Sequence, residues 1–384
     1  MWNKVKSSLV TILSALLCVV IGLAIGFLLL VLLAHINRSS SGQPFTFGDV
    51  LSDAYFKGFQ RVLMGGWYGV GKVPLGPRQE IAEAAPLIMT GLSVAFAFKT
   101  GLFNIGAAGQ YTVGAFGALL CALVLKLPWW LCLIFAMLFG AFWGAIPGFF
   151  KAFFNVNEVI TSIMFNWIGL YGVNTIMYGG GNSPMFSLRD SKTWRVASQS
   201  PASQIPDLKG LGSSFFVQPA TIAIFFALVI AALLWVVLNK TTFGYELKAC
   251  GYSKTAARYA GINEKRNIIL SMTIAGALAG LGAGLYYLSG SVQWNPQDST
   301  ALPGVGFDGI SVALLASSNP IGSIFSALFI SHISAGGGKM DTSIFSPEIA
   351  DVISGVIIYL CAFMMLFKNK IARLFTGKEK GGAK

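Results

Sequence analysis

Between Leu9 and Ala34 the chain runs for 26 residues without a charged side chain, and uncharged apolar stretches recur to its far end. A helix rises about 1.5 Å per residue, so about 20 such residues cross the roughly 30 Å hydrocarbon core of a bilayer. The first run is too long for the apolar core of a signal peptide, and no small-residue cleavage site follows it. It reads as a retained span with "MWNKVK" on the cytoplasmic side. Further spans are predicted near 81–98, 103–125, 128–150, 156–178, 219–238, 267–289, 302–316, 320–336 and 349–367. Those at 302–316 and 320–336 are too short to cross comfortably. They are joined by the turn signal "SSNP" (317–320), which suits short or re-entrant helices packed inside protein.

Composition agrees. Only 11% of residues are charged, against about 25% in soluble domains, and mean hydropathy is +0.69. The expected fold class is an all-α integral membrane protein of about ten transmembrane helices, a single transmembrane domain over 1–384. The net charge of +12 would suit nucleic acid, but its placement argues against that partner and for membrane lipid. Counted from an inside N-terminus, Lys99, Lys151, the 239–266 loop and the basic 368–384 tail fall in the cytoplasm, beside an anionic leaflet. The long segments 35–80 and 179–218 fall outside, and both termini inside.

Enzyme chemistry finds little support. "GWYGVGKV" (66–73) imitates a phosphate-binding loop, but Val73 stands where Ser or Thr would hold Mg²⁺. His35 and His332 are far apart, and no Ser-nucleophile elbow or adjacent carboxylate pair occurs. Five cysteines (Cys18, Cys121, Cys132, Cys250, Cys361) are scattered with no C-x-x-C pair. No cofactor, metal or catalytic residue is expected.

What remains is polarity at membrane depth, where polar side chains must face protein or water. "GLFNIGAAGQ" (101–110) sets Asn104 and Gln110 among glycines at the edge of a span. Their amides suit an uncharged, hydroxyl-rich solute such as a sugar or nucleoside, and they equally suit a tie between helices. "NVNEVITSIMFNW" (155–167) stacks Asn155, Glu158, Ser162 and Asn166 on one helical face, with Asn157 beside them. Glu158 fits a paired carboxylate at a helix start or a solute contact. Asp308, between Gly306 and Gly309, fits a helix cap or a cavity lining. Glycine recurs every four residues at Gly140, Gly144, Gly148 and at Gly276, Gly280, Gly284, a spacing that lets helix backbones approach closely.

In the 239–266 loop, "SKTAARYAG" (253–261) has a Ser253 cap, good helix formers and a Gly261 stop. A short helix there offers a fixed surface to a partner, where a plain basic loop would lie on lipid headgroups.

This loop resembles the ATPase-contacting loop of permease subunits in the ABC importer family for branched-chain amino acids, ribose-type sugars and nucleosides. The matching residues are Thr242, Gly244 (shifted by one), Leu247, Ala249, Gly251, Ala256, Ala257, Gly261 and Ile262. The same family's "FNIG-x-x-GQ" signature is matched by Phe103, Asn104, Ile105, Gly106, Gly109 and Gln110. "NEVI" (157–160), "FNW" (165–167) and "GFDGISVALL" (306–315) also resemble it. "PLIMTGLSVAFAFKTGLFNIG" (86–106) is most similar to nucleoside and simple-sugar permeases, while Ala108 stands where many relatives carry Glu.

The resemblance implies a type II ABC importer permease in a bacterial cell membrane, without ATP chemistry of its own. It implies three partners: a cytoplasmic ATPase subunit, a second related permease forming a heterodimer, and an external solute-binding lipoprotein. Ser253, Lys254, Ala256, Ala257, Arg258, Tyr259 and Gly261 would form the ATPase-coupling element. Asn104, Gln110, Asn157, Glu158, Asn166 and Asp308 would line the solute pathway. The rival is an ion-coupled secondary transporter, whose broken midplane helices often come as internal repeats. Its acidic relay would have to be Glu158 or Asp308, and it has no need of a docking helix.

Overall fold

A computed structural model describes residues 2–40, 44–67, 77–208, 221–296, 301–346 and 348–362. The 368–384 tail, the end of the predicted 349–367 span after Ala362, most of the 66–73 motif, residues 41–43 and 68–76 of the 35–80 segment, and 209–218 of the 179–218 segment lie outside the described residues. In chain order the helices are α1 (Trp2–Ser40), α2 (Phe47–Ser52), α3 (Gln60–Met64), α4 (Arg78–Lys99), α5 (Ala107–Leu119), α6 (Trp129–Phe154), α7 (Glu158–Tyr178) and α8 (Val196–Gln199). They continue with α9 (Ala223–Lys240), α10 (Thr242–Tyr252), α11 (Lys254–Tyr259), α12 (Glu264–Tyr287), α13 (Gly304–Leu315), α14 (Pro320–Gly337) and α15 (Ile349–Ala362). Each of the ten predicted runs holds a helix.

Eight helices among the described residues are long and apolar enough to cross a membrane: α1, α4, α5 with the π turn Leu120–Val124 that prolongs it, α6, α7, α9, α12 and α14. Two predicted spans change. The 302–316 run is the 12-residue α13, only about 18 Å long and too short to cross. Its partner α14, expected to be short too, reaches 18 residues and sufficient hydropathy. The "SSNP" turn between them puts Ser317 and Ser318 at positive φ, and the Asn319 carbonyl accepts from the N–H groups of Ile321 and Gly322.

Residues fall into two compact units, the described parts of 74–331 and of 1–73 with 332–384. In the 74–331 unit α12 is the central helix, with α4, α5 and α6 packed around it. The two glycine stripes meet there, as their spacing predicts. A methyl group added at Gly144 would lie 2.9 Å from Gly276 Cα, and one at Gly280 would lie 2.9 Å from Gly140 Cα. At Gly148 and Gly284 the opposing atoms are side chains, the Cβ of Met272 and of Ala136. Apolar side chains gain nothing by leaving lipid for protein, so this backbone-to-backbone van der Waals contact is what holds α6 on α12.

Short polar caps set the helix starts. Asn157 accepts from Val159 N–H at α7, Asn263 from Arg266 N–H at α12, and Thr241 from Gly244 N–H at α10. The 179–208 segment is itself folded. A two-residue hairpin of β1 (Phe186–Ser187) and β2 (Lys192–Thr193) pairs Thr193 with the Trp294 backbone, while the Trp294 indole donates to Asn174 of α7 at 2.7 Å.

In the other unit α15 lies along α1, with Gly22 and Gly26 against Ile357 and Ile353. The helical stretch 47–64 folds back on α1, so that Phe59 meets Phe27 with ring centroids 5.1 Å apart. It is anchored by Asp53, which takes Arg38 at 2.6 Å and Lys57 at 3.0 Å. Burial works against the charged carboxyl, but the hydrogen bonds from Arg38 and Lys57 prevail and hold its pKa below the usual carboxylate value.

Candidate functional site

Two places in the 74–331 unit carry the sequence-predicted site residues. The first is the turn between α4 and α5. α4 ends as Thr100 bonds back to the Phe96 and Ala97 carbonyls, and Gly101 turns the chain at φ +74°. The predicted 103–125 span is therefore shorter than expected: "LFNIG" is irregular, and helix resumes only at Ala107. Asn104 is fully buried at this break. Its amide donates to Gln110 Oε1 at 2.8 Å and to Ser93 Oγ at 3.0 Å, and the Gln110 amide donates back to Asn104 Oδ1 at 3.0 Å. The Ser93 hydroxyl in turn donates to the Ala275 carbonyl of α12 at 2.6 Å. Asn166 performs the same service for α7, accepting from Gly109 N–H at 2.8 Å and donating to the Ile105 carbonyl at 3.0 Å.

These amides are a knot tying α4, α5, α7 and α12. Of the two roles open to Asn104 and Gln110 in the sequence, this geometry is that of the helix tie: both side chains are buried and bonded to each other. Breaking one pair would leave a buried partner without a bond, at about 1–3 kcal/mol each. Of the predicted stripe, Ser162 and Asn166 are buried and Glu158 is half-buried at the helix start, but Asn155 is not on it: it is exposed and lies before α7, in a left-handed turn that ends α6. Asn174, further along α7, is buried as well. Two hydroxyls near the knot, Tyr111 and Ser162, are buried with no hydrogen-bond partner among the described residues.

The remaining pathway candidates stand apart from the knot. Glu158 opens α7 and pairs with Lys151 at 2.7 Å across the α6–α7 corner, where Asn155 takes a left-handed conformation. That is the paired-carboxylate alternative. Asn157 beside it is exposed and caps α7. Asp308 does not cap α13: the helix begins at Gly304 after Pro303, which puts Asp308 a full turn inside and on an exposed face. Gly306 and Gly309 flank it for packing, against Ala108 and Thr90. Ala108 is fully buried there, so a residue as long as Glu would not fit without moving α13.

The second place is the 239–266 loop, built as a pair of helices. α10 starts on its Thr241 cap. Ser253 ends it and caps α11, accepting from Ala256 N–H at 3.3 Å. Gly261 closes α11 at φ +79°, with Ile262 N–H bonded back to Ala257 O. Ala257 is buried and anchors α11, while Lys254, Ala256, Arg258 and Tyr259 stand exposed. Tyr252 and Tyr259 are about nine-tenths exposed, at 89% and 90%. An open groove runs between the two helices, floored by Ala249, Ala256 and Ala257 and walled by Tyr245, Lys248 and Tyr252.

Gly251 joins the two places. A methyl group there would lie 2.7 Å from the Gly101 nitrogen, so α10 rests backbone to backbone on the turn that leads to Asn104. Sequence reasoning missed this contact, Ser93 and Lys151. Each is an unremarkable residue made important by its neighbour across the fold, and only the two glycines carried any signal.

Neither place holds a nucleophile with a base, and among the described residues no group of three or more His, Cys, Asp or Glu is placed to hold a metal ion. Similarity points the same way. The family described as branched-chain amino acid transport system, permease component, matches residues 79–362. The nucleoside ABC transporter permease protein NupB of Lactococcus lactis is 36% identical over 81% of this chain and 88% of its own. The guanosine ABC transporter permease protein NupP of Bacillus subtilis is 32% identical over 95% of this chain and 96% of its own. The glucose ABC transporter permease protein TsgB13 of Haloferax volcanii is 32% identical over 77% and 78%. No solved structure matches. A match that runs from α4 to α15, with relatives above 30% identity over most of the chain, identifies it as a member of this family of ABC transporter permease components, the non-catalytic membrane subunits of their transporters.

Proposed function

We propose that the chain is the permease of an ATP-driven importer of nucleosides. The observation that carries this reading is similarity over nearly the whole chain to a protein named as a guanosine permease. An ATPase subunit docks on α10 and α11, with Lys254, Arg258 and Tyr259 as contacts, and its closure is felt at the α4–α5 turn through Gly251. A second, related permease completes the pathway, and a solute-binding lipoprotein delivers the solute from outside. The chain lies in a bacterial cell membrane with both termini and the 239–266 loop in the cytoplasm, and with the segments 35–80 and 179–218 outside. Near-neutral pathway chemistry supports an uncharged solute, since Glu158 is paired with Lys151.

A simple sugar is the second reading, favoured by the similarity to a glucose permease. The test is uptake by the complete transporter in proteoliposomes loaded with ATP. The expected result is ATP-dependent uptake of guanosine and adenosine that excess ribose or glucose does not suppress. Uptake of the free sugars with no nucleoside uptake would overturn the nucleoside reading. Uptake driven by a Na⁺ or proton gradient without ATP would overturn the ABC mechanism.

A further inference from the structure

The helical stretch 47–64 carries Asp49, Asp53, Lys57 and Arg61 at a strict spacing of four, which sets them along one helical face. A helix lying in water turns such a face outward and buries the other. Here the arrangement is reversed. Asp49 is exposed and closes the cap with Thr46, but Asp53 is buried and Lys57 and Arg61 are half-buried. From Leu51 to Met64 the exposed residues are Leu51, Ser52, Tyr55, Phe56, Leu63 and Met64, all but Ser52 aliphatic or aromatic. The inward face is held along its length. Asp53 takes Arg38 and Lys57, the Leu63 carbonyl lies 2.9 Å from His332 Nε2, and a methyl at Gly336 would lie 2.8 Å from Val62 Cα. All these contacts fall within the unit of 1–73 with 332–384.

What covers the apolar face follows from its depth. The Phe59 ring meets that of Phe27, and a methyl at Gly58 would lie 3.2 Å from both Cδ atoms of Leu30. Phe27 belongs to the uncharged run Leu9–Ala34, whose 26 residues of helix extend about 39 Å. It stands about 27 Å from the start of that run, so a hydrocarbon core of about 30 Å contains it wherever along the run the core is set. The stretch therefore descends beside α1 below the headgroups. At this level α1 exposes Leu28 and Leu32, side chains of the same character. A second membrane helix would be the other occupant, but such contacts use small residues. The small residues of this stretch, Ala54 and Gly58, are buried on the inward face, and the exposed face has none.

We propose that residues 51–64 lie within the membrane, in the leaflet at the C-terminal end of α1, with Leu51, Tyr55, Phe56, Leu63 and Met64 against acyl chains. The ion pairs are what let a charged face enter: Asp53 meets both Arg38 and Lys57 on the protein side, away from hydrocarbon. The insertion itself does not depend on orientation; that this leaflet is the outer one rests on the orientation proposed above. Of the 35–80 segment, the ends then stay outside while the middle dips into lipid. A solute-binding lipoprotein has no landing surface on the Leu51–Met64 face.

The test is spin-label accessibility in the complete transporter in proteoliposomes. A nitroxide is attached at Phe56→Cys, at Leu63→Cys and, as a reference beyond the apolar run, at Ser39→Cys, with wild type taken through the same labelling as the blank. At Phe56 and Leu63 the label should collide with oxygen, which concentrates in hydrocarbon, and lose its collisions with a water-soluble nickel chelate; at Ser39 the order should reverse. Ready collision with the nickel chelate at Phe56 and Leu63 would place the face in water and overturn the proposal. Loss of both kinds of collision would make it a protein contact and overturn it equally. A second pair of variants reads the same face without a label: Phe56→Asp should lower the yield of folded protein, and Phe56→Ile should not. Equal yields would overturn the proposal. Orientation is read separately, by a membrane-impermeant maleimide added to intact cells, which should label Ser39→Cys. Failure to label it, with the oxygen pattern kept, would overturn the orientation and leave the insertion standing.

Discussion

The α4–α5 turn and the α10–α11 pair are joined by one backbone contact, yet they are built on opposite terms. At the turn every amide is buried and satisfied by another element, with Asn104, Gln110 and Asn166 all at 2% exposure or less. In the helix pair the polar groups are local caps and the side chains of interest point outward, with only Ala257 and a few apolar neighbours holding α11 down. The first is a place where a change in one side chain is felt in stability. The second is one where it is felt in what the protein can touch. A transmitter needs both, because a surface that receives force is useless unless a stiff element lies behind it.

The comparison breaks first, and hardest, at Asn104. Asn104→Leu removes three hydrogen bonds, leaving Gln110 without its reciprocal partner and Ser93 without its donor. With Gln110 and Ser93 each left short at about 1–3 kcal/mol, the loss should total about 2–6 kcal/mol. In detergent this should appear as a clear fall in melting temperature and in yield of folded protein. A leucine variant that melts with wild type and fails only in transport would return Asn104 to the solute pathway.

Gly251→Ala is the next step down and probes the joint itself. The added methyl meets the Thr100 and Gly101 backbone at 2.5–2.7 Å, so α10 must shift. Overpacking of this kind costs about 1–3 kcal/mol. The expected result is a modest melting shift together with ATP hydrolysis that no longer drives uptake. Full coupling in that variant would mean that the Gly251–Gly101 contact carries no motion.

Smaller still is Ser253→Ala, which removes the cap of α11 while leaving the knot untouched. Caps of this type contribute about 1 kcal/mol. Hydrogen exchange should quicken at the α11 amides and stay slow at Gly109 and Gln110. Equal quickening at both would show the two regions to be a single cooperative element.

This contrast also explains what was legible in the sequence. Ser253, Gly261, Asn157 and the glycine stripes act through neighbours a few residues away or through a fixed helical period, so their roles can be read along the chain. Asn104 acts across a helix break, because its partners Ser93 and Gln110 lie within 11 residues but on two helices whose meeting depends on the turn at Gly101, and the onward bond from Ser93 goes to Ala275, 182 residues away. At Asp308 the sequence offered a cap, but Pro303, five residues earlier, starts the helix and leaves Asp308 inside it. Glu158 lies between the two cases: a pair was readable from its position at a helix start, but not the identity of Lys151 across the corner.

The mildest effect on stability belongs to Arg258→Glu, and that mildness sharpens the comparison. Arg258 is exposed in the last turn of α11, near the negative end of the helix dipole. Reversing its charge loses that favourable placement but disturbs no packing, so the melting temperature should stay within about 2 °C of wild type. Its effect should lie in association. The solubilised wild-type chain should retain the ATPase subunit through affinity purification, and the variant should lose it or hold it without coupled transport. If the variant keeps both the subunit and full uptake, α11 is not the docking surface, and the capped helix serves only to hold α10 on the α4–α5 turn. Loss of the subunit with an unchanged melting temperature would separate the two regions cleanly: stiffness in the amide knot, contact in the exposed pair, and a single glycine contact between them.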